Sequence, residues 1–499
     1  MQVTVVTRKR LRVLLPILAS VAILAPLAWL WQDSLVPKSY SAMDMGYLDL
    51  GGGPGAGHEH SSDHHDGTVP DARSVVDFTA DEERAADVRV DLVAAQATLA
   101  IGGKSVDGYT LNGTSPGPTI TAHQGELIEV RLRNASVQAG ITLHWHGYDV
   151  PAAMDGVAGI TQDEVPVGAE FTYRFSADQI GTYWYHSHQV ANEQVIGGLF
   201  GTLVVLPKGG QPGNADVLAT AHTYGGIKTV NGVPGDLRVP AKSGQRVRLR
   251  VVNTDNGSIE AWASAPYKLL AVDGHDVNQP SEVTNQSVTL TGGARADLEV
   301  TMPSDGGPVR IQVSKGTAVI LGEGDIAPPP QPAGDLDLLG YGSPDPHGLG
   351  FDPAKADRRF DYSIGRRPGF VEGRPGLWWT INGHLYPNVP MYLVREGDVV
   401  TMRIDNHSGD VHPMHLHGHH AVVLARNGVS ATGSPWWVDS LNVRDNETFD
   451  IAFVAKNPGL WMDHCHDLKH AADGMVAHLM YDGVTTPFQI GGTADNQPE

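Results

Sequence analysis

One pattern occurs three times along the chain and predicts a repeated β fold. Each copy has an Asn-Gly pair, a proline, and a glycine before a strand of alternating apolar and basic residues that ends on Asn. The copies are residues 111–134, 230–253 and 381–406. In the first two copies the spacing is identical, from Asn112 to Gly125 and from Asn231 to Gly244. Three similar β domains are therefore expected.

The strands within these domains have the period of half-buried β-structure. Short runs such as "LIEVRLRN" and "RVRLRVVN" alternate apolar with polar residues between turn signals, and long helical patterns are few, which predicts all-β sandwiches. The segment 327–335, "APPPQPAGD", is predicted to link the second and third domains. The predicted domains are 85–210, 211–335 and 350–490.

The N-terminus is predicted to be a membrane anchor within residues 1–33. Basic residues Arg8–Arg12 precede an uncharged apolar run, 13–31, that is long enough to cross a bilayer. The basic flank should remain cytoplasmic and place the rest of the chain outside the cell membrane. A cleaved signal peptide, which would leave a secreted protein, is the alternative, but such apolar regions are usually shorter and end in small residues.

Residues 34–84 are predicted to form a flexible tether rich in Gly and His. Its histidines are His58, His60, His64 and His65. We interpret them as a solvated linker that binds metals loosely, with a copper-collecting role as the alternative.

Charge and cysteine content exclude two classes of protein. A formal charge of -21, from 35 basic and 56 acidic residues, argues against nucleic acid as a partner. The chain has one cysteine, Cys465, so it contains no intrachain disulfide. An exported chain with a single thiol calls for a chemical explanation.

A second repeat relates the first domain to the third. Residues 171–188, "FTYRFSADQIGTYWYHSH", align without a gap over residues 449–466, "FDIAFVAKNPGLWMDHCH". His186 and His188 then match His464 and His466, and Ser187 matches Cys465. The two domains therefore share one plan.

Four His-x-His units form the metal-binding signal, two in the first domain and two in the third. They are His144/His146, His186/His188, His415/His417 and His464/His466. On a strand, residues i and i+2 face the same side about 7 Å apart, so each unit can direct two imidazoles into one site. Eight such imidazoles without a metal would be unsatisfied or repel one another. The histidines interpreted as ordinary core or surface residues are His123, His222, His275, His347, His384, His407, His419, His420 and His478.

The cysteine belongs to a different site. On a strand Cys465 points away from its two neighbouring histidines, so it is predicted to join His412, His470 and Met475. Two imidazoles, a thiolate and a weak axial thioether are the ligands of a blue-copper electron-transfer centre. Zinc is the alternative metal, although structural zinc sites usually have more cysteines at CxxC spacing.

With "HWHG", "YHSH", "HPMHLHGH" and "HCHDLKHAADGM" in order, the chain resembles the three-domain multicopper oxidases over most of residues 85–485. The resemblance implies three cupredoxin-like Greek-key β-sandwiches and four coppers. It implies type 1 copper at His412, Cys465 and His470 with Met475 axial, and type 2 copper at His144 and His415. It implies type 3 coppers at His146, His186 and His466 and at His188, His417 and His464.

The resemblance also implies a mechanism. A reductant gives single electrons to the type 1 site, and they pass from Cys465 through His464 and His466 to the cluster, where dioxygen becomes water. Asp155, in "PAAMDG", matches an acid that the family uses near type 2 copper and is the predicted proton relay; a turn-forming Asp before Gly is the alternative. Bacterial relatives often have a second acid where this chain has Ala471, so proton delivery is expected to differ.

The resulting functional expectation is a laccase-like oxidase of phenols, aromatic amines or low-valent metal ions. A cuprous or other metal-ion oxidase in copper homeostasis is one alternative, although Met391, Met402 and Met414 are scattered rather than inserted as a methionine-rich segment. A copper-sequestering protein without turnover is another. A copper nitrite reductase would need fewer histidines. Oligomerisation is not required, because one chain contains every implied ligand.

Overall fold

The computed structural model describes residues 3–52, 72–80, 83–210 and 215–499. Nearly all regular structure in these residues is β-strand, arranged as three sandwiches in sequence, so the all-β prediction is confirmed. The histidines predicted in the tether at 58–65 lie outside the described residues. Within the described ranges the α-helices are α1 (Val3–Asp33), α2 (Ala191–Ile196) and α3 (Leu468–Ala472). Short 3-10 turns span Ala42–Asp44, Val75–Asp77, Ala152–Met154, Pro353–Lys355 and Gly492–Ala494.

The first sandwich has two four-stranded sheets. In spatial order one consists of Lys104–Leu111, Val88–Ile101, Leu127–Asn134 and Glu170–Ser176. The other consists of Ile120–His123, Phe200–Leu206, Gly181–His186 and His144–His146. The aromatic rings of Trp145, Tyr173 and Phe175 pack between them.

The second sandwich has an eight-stranded and a six-stranded sheet. The first contains Val233–Pro234, Ile227–Val230, Ala215–Tyr224, Arg246–Asn253, Arg295–Thr301, Tyr267–Val272 and His275–Asp276, with Glu282–Val283 beside Tyr267–Val272. The second contains Asp236–Val239, Thr317–Leu321, Val309–Ser314, Ile259–Ala263, Gln286–Leu290 and Gly334–Asp335. The end of the predicted linker, at Gly334–Asp335, is thus an edge strand of this sandwich.

The third sandwich has a six-stranded and a seven-stranded sheet. The first contains Tyr47–Asp49, Pro390–Val394, Val476–Tyr481, Leu460–Cys465, His412–Leu416 and Ser440–Val443. The second contains Arg374–Ile381, Arg358–Val371, Val399–Asn406, Thr448–Val454, Ala421–Arg426 and Val429–Ser430, with Trp437–Val438 beside Ala421–Arg426.

The threefold sequence repeat is a threefold repeat of one hairpin turn. In each copy the Asn of Asn-Gly has positive φ, 55° at Asn112, 53° at Asn231 and 52° at Asn382, and the following glycine does too. Positive φ at both positions is the signature of a type I′ turn, which matches the twist of the flanking strands. The Asn side chains also accept backbone N–H groups, from Val93, Thr220 and Ser363 in turn.

The Asn that ends each repeat has a structural role as well. Asn134, Asn253 and Asn406 are fully buried. Each side-chain amide donates to two or more backbone carbonyls in neighbouring loops and strand ends, at 2.7–3.1 Å. The repeat therefore specifies both ends of the same strand unit in all three sandwiches.

The prediction of a flexible tether at residues 34–84 is wrong for the described segments on either side of residues 53–71. Residues Ser39–Tyr40 pair with Ile490–Gly491, Tyr47–Asp49 pair with Pro390–Tyr392, and Arg73–Ser74 pair with Val484–Thr485. Tyr47–Asp49 is an edge strand of the third sandwich, and the other two segments each form a separate two-stranded sheet with residues near the end of the chain. Backbone pairing in these strands satisfies hydrogen-bond groups that a free linker would leave to water. Composition alone hid these strands, because each is only two or three residues long.

Candidate metal centre

The eight histidines of the four His-x-His units lie together where the first and third sandwiches meet. Each of the eight side chains is at most 1% exposed. Strand pairing produces this arrangement in the same way in both sandwiches. In the first, His186 pairs with His144; in the third, His464 pairs with His415. Each sandwich thus presents four imidazoles from two adjacent strands at one edge.

The eight rings sort into three groups whose candidate ligand atoms lie within 4.8 Å of one another. These groups are His144, His146 and His415; His146, His186 and His466; and His188, His417 and His464. Each group draws on both sandwiches. Nε2 of His417 lies 3.1 Å from Nε2 of His464, and Nε2 of His144 lies 3.4 Å from Nε2 of His415. Ring nitrogens that face each other this closely are suited to a shared cation.

Hydrogen bonds at the far nitrogen orient most of the rings. Six rings have Nδ1 within 3.1 Å of a backbone carbonyl or carboxylate oxygen: His144, His186, His188, His415, His417 and His464. If Nδ1 carries the proton and donates it there, the Nε2 lone pair of each ring faces the cluster. His146 is reversed, with Nε2 3.0 Å from Ser440 Oγ.

The remaining nitrogens fit metal ligation because nothing else satisfies them. His146 Nδ1, His186 Nε2, His188 Nε2 and both ring nitrogens of His466 are buried with no hydrogen-bond partner among the described residues. Burial of that many unpaired polar atoms is costly, and a bound cation satisfies each lone pair.

Electrostatics keeps these imidazoles unprotonated. Burial, followed by repulsion from neighbouring histidines, lowers the pKa of His186 and of His464 well below the usual value. Burial likewise lowers the pKa of His188 and of His466 to about 3. Neutral imidazole is the form that binds transition metals.

Cys465 faces a second site on the other side of its strand. Its Sγ lies 3.5 Å from His412 Nδ1 and 3.7 Å from His470 Nδ1. The structure therefore brings together the three residues that the sequence grouped. Met475 is fully buried, and its carbonyl accepts the Cys465 N–H at 3.2 Å.

Two features orient the rings of this second site. Ser408 Oγ lies 2.8 Å from His412 Nε2, so Nδ1 faces the sulfur. The Trp379 ring lies against both histidines, with centroids 4.8 Å from His412 and 4.4 Å from His470. Two histidines with one thiolate form a soft donor set that favours copper over hard cations.

Asp155, the predicted proton relay, joins two rings of the cluster. It is fully buried, with Oδ1 3.1 Å from His144 Nδ1 and Oδ2 3.1 Å from His417 Nδ1. A carboxylate that accepts from both Nδ1–H groups sets the tautomer of two rings at once. Asp155 therefore contacts two rings of the cluster and is not only a turn residue before Gly156.

Sequence reasoning missed the contribution of the second sandwich. Arg295, fully buried, makes two hydrogen bonds of 2.6 Å to Asp439, whose carbonyl accepts from His415 Nδ1 at 2.7 Å. Gly293, at φ 82°, lies so near His146 that a Cβ there would be 2.6 Å from the ring. The second sandwich, which has no ligand motif, therefore supports His415 and His146 through Asp439 and Gly293. The sequence did not indicate this role, because Arg295 follows the ordinary polar pattern of a strand.

His420, which the sequence indicates is an ordinary core or surface residue, is buried between two carboxylates. Its Nδ1 lies 3.2 Å from Asp149 Oδ1, and its Nε2 lies 3.3 Å from Asp439 Oδ2. Burial lowers the pKa of His420, but the two carboxylates have the larger combined effect and raise this pKa to about 10. A cationic His420 therefore pairs with both Asp149 and Asp439 behind the cluster.

Glu499 is the second acid that the sequence did not locate. Its Oε1 lies 3.4 Å from His464 Nδ1, and neither carboxylate oxygen has a hydrogen-bond partner among the described residues. It lines a cavity of about 220 Å³ together with Ala471, the position where an acid was expected. Pro498 next to it accepts from His188 Nδ1 at 2.8 Å. No motif marks residues 495–499, so only tertiary structure reveals this placement.

Comparison with known proteins gives one consistent result. A family model described as multicopper oxidase matches residues 93–210, and a second with the same description matches residues 353–483. Among curated proteins, the chain is 28% identical over 469 residues to the multicopper oxidase MmcO of Mycobacterium tuberculosis, covering 79% of this chain and 87% of that one. It is 27% identical over 491 residues to laccase-1 of Botryotinia fuckeliana, covering 81% and 83%.

Solved structures agree with the sequence matches. A multi-copper oxidase from Pseudomonas thermotolerans superposes with a TM-score of 0.66 at 25% identity, covering 79% of this chain and 98% of that one. Both matched family models fall on the sandwiches that contain the histidine units.

Proposed function

The chain belongs to the multicopper oxidase family, and we propose that it is a membrane-anchored, laccase-like member whose donor is a phenol. It is a copper-dependent oxidoreductase that uses dioxygen as acceptor, and its three sandwiches are cupredoxin-like domains. The observation that carries the proposal is the position of Cys465. It faces one candidate site while its chain neighbours, His464 and His466, belong to two groups of the other.

The proposed ligands follow the geometric groups. His412, Cys465 and His470, with Met475 as a further ligand, would hold type 1 copper, and His144 and His415 would hold type 2 copper. The type 3 pair is assigned to His146, His186 and His466 and to His188, His417 and His464. Four bound coppers would supply the one-electron redox chemistry that couples oxidation of the donor to reduction of dioxygen to water.

The chain's own residues then orient ligands and move protons. Asp155 holds Nδ1–H of His144 and of His417, and it is the proposed relay of protons towards the type 2 position. Glu499, beside His464, is proposed as the acid on the other side, in place of the one expected at Ala471. Asp155 is fully buried, and Glu499 lines a cavity of about 220 Å³ through which protons are proposed to reach it.

A phenolic donor is favoured over a metal ion by the placement of methionines. Met391, Met402 and Met414 are 1%, 3% and 4% exposed within the core of the third sandwich. Thioethers buried in this way offer no surface site for a soft monovalent cation. A metal-ion oxidase remains the second candidate, and a copper-sequestering protein the third.

Membrane anchoring is proposed from helix α1. Its segment Leu14–Asp33 has mean hydropathy 2.1, and none of it is buried in the protein. Twenty residues suffice to cross the hydrocarbon core. Directly after the helix, Ser34 Oγ accepts the N–H of Gly373 at 3.1 Å, so the end of the helix is held against a hairpin of the third sandwich. The catalytic domains are proposed to lie on the extracytoplasmic side, and one chain is proposed to suffice.

Copper content and oxygen uptake test the function on one preparation. Full-length protein should contain four coppers per chain and consume oxygen with a simple phenol faster than with Cu(I) or Mn(II). Copper without oxygen uptake would favour the sequestering protein. Recovery of a mature chain that begins after residue 33 would contradict the anchor and leave a secreted oxidase.

A further inference from the structure

A groove lies where the end of α1 meets the third sandwich. Its volume is about 590 Å³, within the range of small-molecule sites. Trp29 and Asp33 of the helix form one wall, Arg367 and Phe370 of the strand Arg358–Val371 form another, and His384 and Asn388 lie at the rim. The membrane segment and the copper-binding sandwich thus build one concave site together.

The position of the groove along the membrane normal follows from the helix. Trp29 and Trp31 end the apolar run, and tryptophans at this position sit at the level of lipid headgroups. Trp29 is 65% exposed, so its ring is available to lipid or ligand. Gly373, at the tip of the adjacent hairpin, lies so close to Trp31 that a Cβ there would be 3.0 Å from Nε1. The groove is therefore expected to open at the bilayer surface.

The groove combines an apolar wall with polar groups at its rim. Phe370 and Leu385 supply apolar surface, while the Tyr47 ring lies tilted against His384 with ring centroids 4.9 Å apart. Asn388 donates to Asp33 at 3.3 Å. Donors and acceptors at the rim suit two aromatic hydroxyl groups, and the apolar wall beside the helix suits a hydrocarbon chain.

Two series of contacts connect residues that line the groove to the proposed type 1 site. Arg367 is adjacent to Arg366, which pairs with Trp379 across the hairpin and lies 4.2 Å over its ring. Trp379 in turn contacts His412 and His470. On a second side, Tyr386 lines the groove and lies against Gly474, next to Met475, where a Cβ would be 2.7 Å from that of Tyr386.

We propose that this groove binds the head of a lipid-soluble hydroquinone, which is the electron donor of the oxidase. The proposal rests on the proposed function and on an uncleaved anchor. Each hydroquinone loses two electrons and two protons and leaves as the quinone. Two hydroquinones therefore reduce one dioxygen, and the four electrons and four protons yield two waters.

Photolabelling tests binding without turnover. Copper-loaded, full-length protein in phospholipid nanodiscs is irradiated with an azido-quinone that has a decyl chain. The label should map to residues 29–34, 367–370 and 384–388, and excess decylquinone should remove it. Label that excess decylquinone does not displace indicates partition into lipid only and overturns the proposal.

Substitutions in the groove test its use in turnover. Asn388→Trp fills the rim and should lower the ratio of kcat/KM for decylhydroquinone to that for unsubstituted hydroquinone about tenfold. Trp29→Ala changes only an exposed helix side chain and should lower the same ratio about threefold. Leu377→Trp, at a 55% exposed position of the same hairpin outside the groove, is the matched control and should leave the ratio unchanged.

The two hypotheses fail in different ways. If neither hydroquinone is oxidised, the proposed function is wrong. If both are oxidised with a ratio that Asn388→Trp and Trp29→Ala do not change, the oxidase stands and the groove is not its donor site.

Discussion

Cys465 Sγ lies 3.5 Å from His412 Nδ1, on the opposite face of its strand from His464 and His466. A single tripeptide therefore belongs to two candidate metal sites. This arrangement requires a sulfur at the central position, since a hydroxyl is a harder and weaker ligand for copper. The equivalent position in the first sandwich shows the contrast, because Ser187 there donates to Gln194 Oε1 at 2.6 Å.

Replacing the sulfur should separate the two sites. In Cys465→Ser the blue absorption of a copper–thiolate bond should disappear and oxygen uptake should fall to background, while copper held by the eight histidines remains. Ser187→Ala is the matched control at the aligned position and should keep both colour and activity. Oxidase activity in Cys465→Ser would contradict the assigned electron entry.

Asp155 should matter for the dioxygen step rather than for electron entry. Because its carboxylate orients His144 and His417, Asp155→Asn should slow oxygen reduction about 10–100-fold with the blue absorption intact. Reduced protein is mixed with oxygen, and the return of the blue colour is followed. Asp107→Asn, an exposed carboxylate of the same sandwich, is the control. An unchanged rate in Asp155→Asn would leave it a turn residue.

A carboxylate placed at position 471, where the acid was expected, should partly replace Glu499. Glu499→Ala removes the carboxylate beside His464 and should slow the same step about 100-fold. Since Ala471 lines the same cavity, adding Ala471→Glu to Glu499→Ala should restore part of the rate. A double variant as slow as the single one, with normal copper content, would show that a carboxylate in this cavity does not act in the reaction.

Much of this structure was predictable because it depends on local patterns. Strand alternation, the Asn-Gly turns and the paired His-x-His units each act within a few residues, and they predicted three sandwiches and the grouping around Cys465. Residues that act through tertiary contact could not be found this way. Arg295 reaches Asp439 across 144 positions, and Glu499 reaches His464 from a segment without regular pattern. The short strands within residues 39–49 also form only by pairing with residues distant in sequence, so local patterns could not predict them.

The pH dependence of stability should include a contribution from Glu164. Burial, with the nearby charges of Asp495 and Asp163, raises the pKa of Glu164 from 4.5 to about 7. Between these two values the unfolded chain has lost this proton and the folded chain retains it, so this group makes stability fall as pH rises from about 4.5 to 7.

Comparing variants isolates that contribution. Glu164→Gln should show a smaller fall in Tm over this pH range than the parent chain, and exposed Glu170→Gln should show the parent's fall. Because the two proteins have identical metal sites, titration of the ligands contributes equally to both Tm curves and cancels in their difference. Parallel Tm curves for the parent and Glu164→Gln would contradict the raised pKa.

Arg295 should be the most costly single charge to remove. It is fully buried and bonded twice to Asp439 at 2.6 Å, so Arg295→Met removes two charge-assisted hydrogen bonds and leaves this buried carboxylate with His420 as a cationic partner that it shares with Asp149. Loss of one partner of such a pair typically costs about 3–5 kcal/mol of the free energy of unfolding. Arg295→Lys should recover only part of this, because an ammonium cannot make the two parallel hydrogen bonds of a guanidinium.

An exposed ion pair provides the comparison for Arg295. Arg238 pairs with Asp325 at the surface, where the two side chains are 53% and 94% exposed. Water and salt screen such a pair, so Arg238→Gln should cost less than about 1 kcal/mol. Denaturant unfolding of the three variants gives the free energies. The backbone carbonyl of Asp439 also accepts from His415, so Arg295→Met should lose copper more readily than the parent protein. If Arg295→Met has full copper content and parental stability, the second sandwich does not support the cluster through Arg295.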